Sequence, residues 1–213
     1  MNNEPRPTSE RFLRMLRRLR TIAESGLYYG KDEFDRVRYS EVGSITQELI
    51  ALLADEEPQR VREVLPIRKV PATPALDARA FVVHEGKVLL VKESTDLKWS
   101  LPGGWVEVNE SLRESVEREV WEESGLRCQA RQLLAVWDRD RHGHPPLAVH
   151  CYKLVVHCEV LDLGTFTSNS ETLAAGFFAV DALPDLSLGR VTPAQIQLAF
   201  SMVQQGVTSA RFD

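Results

Sequence analysis

The stretch Gly104-Trp105-Val106-Glu107-Val108-Asn109-Glu110, followed by seven residues and then Arg118-Glu119-Val120-Trp121-Glu122-Glu123-Ser124-Gly125-Leu126, decides the fold. Between its two halves, Ser111-Leu112-Arg113-Glu114 is a capping box that starts a helix, and Gly125 can end that helix in a left-handed conformation. At about 100° per residue, Glu119 and Glu123 lie one turn apart on one face, with Glu122 about a quarter-turn aside. Leu112 and Val116 share that face, so it is the side expected to dock on the protein. Like charges one turn apart repel, and the cost rises where water is scarce. A hard divalent cation with oxygen ligands removes the cost, and magnesium is the natural candidate. Arg118 stands one turn from both Glu114 and Glu122 and can orient the acidic cluster by charge-assisted bonds.

A solvated, merely Glu-rich helix is the ordinary reading of such a cluster. The full pattern overrides it. Gly104, Glu110, Arg118, Glu119, Val120, Glu122, Glu123, Gly125 and Leu126 fill all nine constrained positions of the Nudix box, Gx5Ex7REUxEExGU, with U an apolar residue. Ordinary residue abundances produce such a match in roughly one window per billion. The approach, Trp99-Ser100-Leu101-Pro102-Gly103-Gly104, also resembles the family. The resemblance implies an α/β/α sandwich in which the box forms a loop–helix–loop that binds two or more Mg²⁺ or Mn²⁺ ions. It makes Glu119, Glu122 and Glu123 metal ligands and catalytic groups, with Gly103 offering a backbone carbonyl. Gly104, Glu110, Arg118 and Gly125 support the loop, Glu110 and Arg118 as a structural pair.

Upstream of the box, Ala78–His84 and Lys87–Lys92 are β-rich runs joined by Glu85-Gly86, which predicts a tight hairpin. Downstream, strands are expected at Gln129–Trp137, Val149–Val160 and Gly176–Val180. Thr192-Pro193-Ala194-Gln195 supplies the cap of a last helix. The N-terminal part is helical. Phe12, Leu16, Leu19 and Ala23 recur at helical spacing, widened by Leu13 and Ile22, with Ser9 as the expected cap and Gly26 as the expected stop. A second helix, roughly Asp35 to Asp55, carries Val42, Ile45, Leu49, Leu52 and Leu53. Two such helices cannot bury both apolar faces alone, so they are expected to pack on the next domain or on a second copy. Pro58, Pro66, Pro71 and Pro74 mark a linker. The expected fold class is therefore α+β, a Nudix α/β/α sandwich (residues 69–213) behind a helical extension (residues 1–68).

The extension narrows the function. Ala23–Tyr29 and Lys31–Tyr39 resemble the helical extension of one Nudix subgroup, and Pro184–Thr192 agrees with it. Members of that subgroup hydrolyse nucleoside diphosphates linked to another moiety, of the CDP-choline or ADP-ribose type, and the resemblance implies a homodimer built through the extension. The expected activity is thus metal-dependent hydrolysis of a pyrophosphate bond, giving a nucleoside monophosphate and a phosphorylated partner. An RNA 5′-end pyrophosphohydrolase or ribonuclease, and a non-catalytic nucleotide-binding regulator on the same fold, are the alternatives.

Outside the box, Glu171 in the polar loop Ser168–Thr172 is a candidate general base or further metal ligand, against a plain surface acid. Arg79, in an Asp77-x-Arg79 segment resembling the subgroup's, is a candidate for a substrate phosphate, against a solvent-exposed arginine at a strand start. His142-Gly143-His144 lacks further Cys or His at metal-site spacing and is expected to be a surface loop. Trp105 and Trp137 are expected to be core aromatics, with stacking on a base as the alternative. Arg11, Arg14, Arg17, Arg18 and Arg20 give the first helix a basic face that can attract RNA, but a solvated or intersubunit face is expected.

A net charge of −5 argues against long polyanions as the usual partner. Cys128, Cys151 and Cys158, an odd number without a CxxC pair, are expected to be free thiols in a reducing compartment. No apolar run approaches ~18 residues, and the polar, then Arg-rich N-terminus has no apolar signal core, so a cytoplasmic location away from membranes is expected.

Overall fold

A computed structural model describes residues 7–213; residues 1–6 of the polar N-terminal stretch lie outside the described residues. The described residues divide into two compact units, those up to 74 with 146–150, and residues 75–145 with 151–213.

The first unit holds helices α1 (Pro7–Tyr29), α2 (Glu33–Ala54) and α3 (Pro58–Val64). Because α1 already begins at Pro7, Ser9 sits within the helix instead of capping it. Gly26 does not stop α1 either: the Tyr39 ring of α2 packs against it so closely that a Cβ there would meet the ring at 2.4 Å. The bare Cα serves helix contact, and the helix continues to Tyr29. Asp32 caps α2 by accepting from the Asp35 N–H at 3.0 Å. The Pro-rich linker contains a helix after all, since Pro58 occupies the first turn of α3, where proline's missing N–H costs nothing.

Leu16, Ile50, Ala51 and Val61 form this unit's core. Its inner surface on α2 is the apolar Ile50 with Gly43, Thr46, Gln47 and Ala51, small and polar residues that permit close approach. Glu24, 2% exposed, ties the unit together by accepting from Arg20 at 3.1 Å and from the Arg68 N–H at 3.1 Å. The expected apolar stripe is consequently split. Leu16 and Ala23 are buried, while Phe12, Met15, Leu19 and Ile22 remain 39–54% exposed along a second edge of α1. On α2, Ile45 and Leu52 are likewise exposed.

In the second unit the strands are β1 (Ala75–His84), β2 (Lys87–Glu93), β3 (Trp99–Ser100), β4 (Gly103–Trp105), β5 (Arg127–Asp138), β6 (Cys151–Asp162), β7 (Thr172–Phe178) and β8 (Arg211–Phe212). They form a mixed eight-stranded sheet, ordered β3-β2-β1-β6-β5-β8, with β4 on β1 and β7 on β2. The β1–β2 hairpin turns at Glu85-Gly86, both at positive φ as a two-residue hairpin requires. β1 runs parallel to β6 from Ala75↔Cys151 to Val82↔Cys158.

Alternation along β1 sends Ala78, Ala80 and Val82 to one side and Phe81 to the other. On the first side, helix α4 (Leu112–Ser124) packs Val116 and Val120 against the small alanines. On the second, helix α5 (Pro193–Gln204) packs Ile196, Ala199 and Met202 against Phe81, Leu134 and Val155. Both helices begin with complete capping boxes, Ser111/Glu114 and Thr192/Gln195. The result is a helix–sheet–helix sandwich in the α+β class. All three cysteines are free and buried.

Candidate active site

The box helix α4 is fixed at both ends. Ser111 and Glu114 close its N-terminus, and Gly125 closes its C-terminus at φ 72°. The β4 strand, paired with β1 at Ala78↔Gly104 and Arg79↔Gly103, brings the Gly-Gly pair beside the helix. Gly103 has φ 129°, and a Cβ there would lie 2.1 Å from the Ala78 carbonyl, so only glycine fits. Its N–H donates to Glu123 Oε2 at 2.8 Å.

Glu123 is 6% exposed. Burial pushes its carboxyl up to about 8, with the nearby Glu119 and Glu93 adding to the rise and Arg79 and the Gly103 N–H opposing it. Burial also raises Glu119 against the pull of Arg118. Gly104 lies against that carboxylate: a Cβ at this glycine would make ordinary van der Waals contact with Glu119 Oε1, at 3.6 Å. Glu122 is the outermost of the three, its side chain 45% exposed.

Arg118 organises the loop. It donates to both oxygens of Glu110, at 2.7 and 2.9 Å, and to Glu122 at 2.8 Å, and stands 3.1 Å from Glu119. The hydrogen bonds from Arg118 hold the Glu110 carboxyl below its usual range. Arg118 does not reach Glu114 as its spacing suggested, because that carboxylate is engaged by the Ser111 N–H and hydroxyl in the capping box.

The solvent-exposed reading of Arg79 is wrong. β1 begins four residues earlier, at Ala75, so Arg79 lies within the strand and is only 6% exposed. Its Nε donates to Asp77 at 2.7 Å and its Nη1 to the Leu101 carbonyl at 3.1 Å. Burial alone would lower its pKa, but Asp77, then Glu123 and Glu93, outweigh that and raise it. Glu171 is exposed in its loop. The loop is hitched to the box helix by Asn169, whose side-chain N–H donates to the Glu122 carbonyl at 2.9 Å and whose Oδ1 accepts from the Glu171 and Thr172 N–H groups.

The less specific candidates separate cleanly. Trp137 is core, but Trp105 is 53% exposed on β4 and is not a core aromatic. A three-residue β4 edge gives it no covering layer. His142 bonds Asp213 at 2.7 Å, and His144 bonds the Leu188 carbonyl at 2.7 Å, its ring pulled down to about 4 by burial. Neither is drawn into a metal-binding group among the described residues. Of the arginines on α1, Arg20 is committed to Glu24 and the Pro66 carbonyl.

Glu93 and Lys153 carry no motif or spacing that singles them out in the sequence. Glu93, 8% exposed, accepts from the Ser100 hydroxyl at 2.6 Å and pairs with Arg190 at 3.0 Å. Lys153, 1% exposed, bonds Asp77. Inward alternation of Cys151, Lys153 and Val155 along β6 was the only available signal, and it carries no information about a partner.

The donor set suits a hard divalent cation. Glu119 and Glu123 offer carboxylate oxygens whose pKa burial raises, with Glu122 adding to the rise at Glu119 and Glu119 to the rise at Glu123, a repulsion that a bound cation would relieve. Among the described residues, no three acidic, His or Cys groups are gathered as a ready ligand set, because Arg118 holds Glu122 and the Gly103 N–H holds Glu123.

Known proteins agree with this geometry. The NUDIX domain family matches residues 73–198, and the family described as a UDP-X-like, N-terminal oligomerisation domain matches residues 10–65. A putative ADP-ribose pyrophosphatase of Bacillus subtilis is 37% identical over 203 residues, spanning 95% of this chain and 97% of the relative. The crystal structure of a UDP-X diphosphatase is 36% identical with a TM-score of 0.62, covering 96% of this chain and 99% of that one. That of an ADP-ribose pyrophosphatase from Streptococcus suis is 41% identical with a TM-score of 0.61, covering 66% of this chain and all of that one. With the box intact and its helix, loop and sheet assembled as described, the chain belongs to the Nudix family and is a Nudix pyrophosphohydrolase carrying a UDP-X-like N-terminal oligomerisation domain.

Proposed function

We propose that this enzyme hydrolyses the pyrophosphate bond of ADP-ribose and related nucleoside diphosphates linked to a second moiety, with Mg²⁺ or Mn²⁺ as cofactor, and that it works as a homodimer. The observation that carries the reading is the acidic edge of α4, Glu119 and the buried Glu123, bonded through Glu123 to the Gly103 N–H on the β4 strand that pairs with β1 at the buried Arg79. A buried arginine on the strand next to an acidic edge suits a phosphate chain and its counterions together. The ADP-ribose and UDP-X names of the full-length relatives support the substrate class.

Glu119, Glu123 and, on the rim, Glu122 would hold the ions, with the Gly103 carbonyl as a further ligand. Such ions neutralise the diphosphate and activate water for attack on phosphorus. Arg79 binds a phosphate oxygen, its Nη2 taking no part in the bonds to Asp77 and Leu101. Glu171 takes the proton from the attacking water; its exposure and the hitching of its loop to Glu122 through Asn169 support that role. Glu110 and Arg118 keep the loop in register. The exposed edge Phe12, Met15, Leu19 and Ile22 supports the homodimer.

Product-resolved hydrolysis of ADP-ribose, a UDP-sugar, CDP-choline and 5′-triphosphate RNA, each with Mg²⁺, Mn²⁺ or EDTA, tests the proposal. Metal-dependent release of AMP or UMP is expected. Turnover of RNA alone would overturn the substrate class, and full activity in EDTA would overturn the cofactor.

A further inference from the structure

Asp77, Arg79 and Lys153 form a buried triad at the heart of the sheet. Asp77 and Arg79 lie on β1, two residues apart and on one face. Lys153 stands directly across the strand pair, since Asp77↔Lys153 are partners in the parallel β1–β6 register. Asp77 takes a bond from each cation, Arg79 Nε at one oxygen and Lys153 Nζ at the other. None of the three is more than 6% exposed.

A single Arg79–Asp77 pair would already be neutral. The second cation is costly: burial, aided by repulsion from Arg79, pulls Lys153 down to about 8 even with Asp77 alongside. Burying a charge that local neutrality does not require is unfavourable, and an apolar side chain of similar length would pack at lower cost. The triad therefore carries one surplus positive charge. It lies beside the acidic edge of the site, because Arg79 pairs with Gly103 across β1 and β4 and the Gly103 N–H donates to Glu123 at 2.8 Å. Lys153 cannot itself meet a ligand, being 1% exposed with its amine on Asp77.

We infer that Lys153 is a positioning residue for substrate binding: by occupying the second oxygen of Asp77 it leaves the Arg79 charge unspent and aims its guanidinium at the phosphates of the substrate. This inference rests on the proposed function, in which Arg79 contacts phosphate. Asp77 thus acts as a fixed hinge for the guanidinium, and Lys153 sets how much of the Arg79 charge the substrate feels. Lys153→Met leaves Arg79 fully neutralised by Asp77. Asp77→Asn together with Lys153→Met restores the surplus charge, and the Asn oxygen can still accept from Arg79 Nε.

The test measures kcat and KM for ADP-ribose with saturating Mg²⁺, the dissociation constant of ADP-ribose by calorimetry in EDTA, and the melting temperature. Lys153→Met should raise KM and Kd about tenfold, the order of effect expected for the loss of one nearby unit charge, with kcat within about twofold. Lys153→Arg and the double variant should each return KM to within about threefold of the parent. A purely structural lysine would instead lower the melting temperature with KM unmoved, and that result overturns the inference. Should Lys153→Met not fold, the double variant carries the test, and a tenfold KM increase there refutes the charge argument. A parent enzyme inactive on ADP-ribose and on the UDP-sugar would refute the functional reading itself, and the inference with it.

Discussion

Replacing Glu123 by Gln should make the metal-free protein more stable while removing turnover. The carboxyl is 6% exposed and pushed up to about 8 from an ordinary 4.5, chiefly by burial. For an acid whose folded pKa is raised, the folded state resists ionisation. The penalty is absent below pH 4.5, grows between 4.5 and about 8, and is constant above that. At about 1.4 kcal/mol per pH unit, its ceiling is about 5 kcal/mol. Gln keeps an oxygen to accept from the Gly103 N–H, now at 2.8 Å, so the loop contact survives. Relaxation of the site and water reaching the carboxylate reduce the gain below that ceiling. A net of about 2 kcal/mol at pH 8, or about 4–8 °C in melting temperature, is expected. The assay is thermal melting of parent and variant in EDTA at pH 4.5, 6 and 8. The two should coincide at pH 4.5 and separate progressively above it. Equal melting temperatures at pH 8, or a gap independent of pH, would refute the reasoning. Added Mg²⁺ should then raise the parent and leave the variant nearly unmoved, since only the parent retains the full site.

Three further outcomes follow from other parts of the structure. Gly103→Ala must place a Cβ 2.1 Å from the Ala78 carbonyl at φ 129°, so it should lose about 3 kcal/mol in urea unfolding; wild-type stability would mean that β4 can shift freely. Arg118→Lys cannot reproduce the two-pronged contact with Glu110 at 2.7 and 2.9 Å, and kcat/KM should fall about 10–100-fold, whereas unchanged kinetics would remove Arg118 from the support of the loop. Leu19→Glu charges the exposed apolar edge of α1 and should convert a dimer into a 24.1 kDa monomer in sedimentation, with a persisting dimer placing the interface elsewhere.

The local chemistry of the site was legible because it is written at short range. Ser111 and Glu114 specify their helix start, Gly125 its end, and the spacing of Glu119, Glu122 and Glu123 their order along one edge, all within a few turns of helix. Helix and strand periods likewise identified most of the sandwich. Three features lay beyond that range. The split of the α1 stripe into a buried and an exposed edge depends on the small and polar residues of α2 that face it. The two-residue β8 exists only because β5 lies beside it, parallel at Ala135↔Arg211. The burial of Arg79 and the charge across it depend on residues 22 and 76 positions away in the chain, Leu101 and, through Asp77, Lys153. A lysine in a strand reads as exposed until its neighbour strand is known, because the cost of burying its charge is met only by a carboxylate that parallel pairing delivers. Sequence alone determined which groups can do the chemistry; tertiary structure decided which of them are dry, which share a counter-charge, and therefore how strongly each one acts.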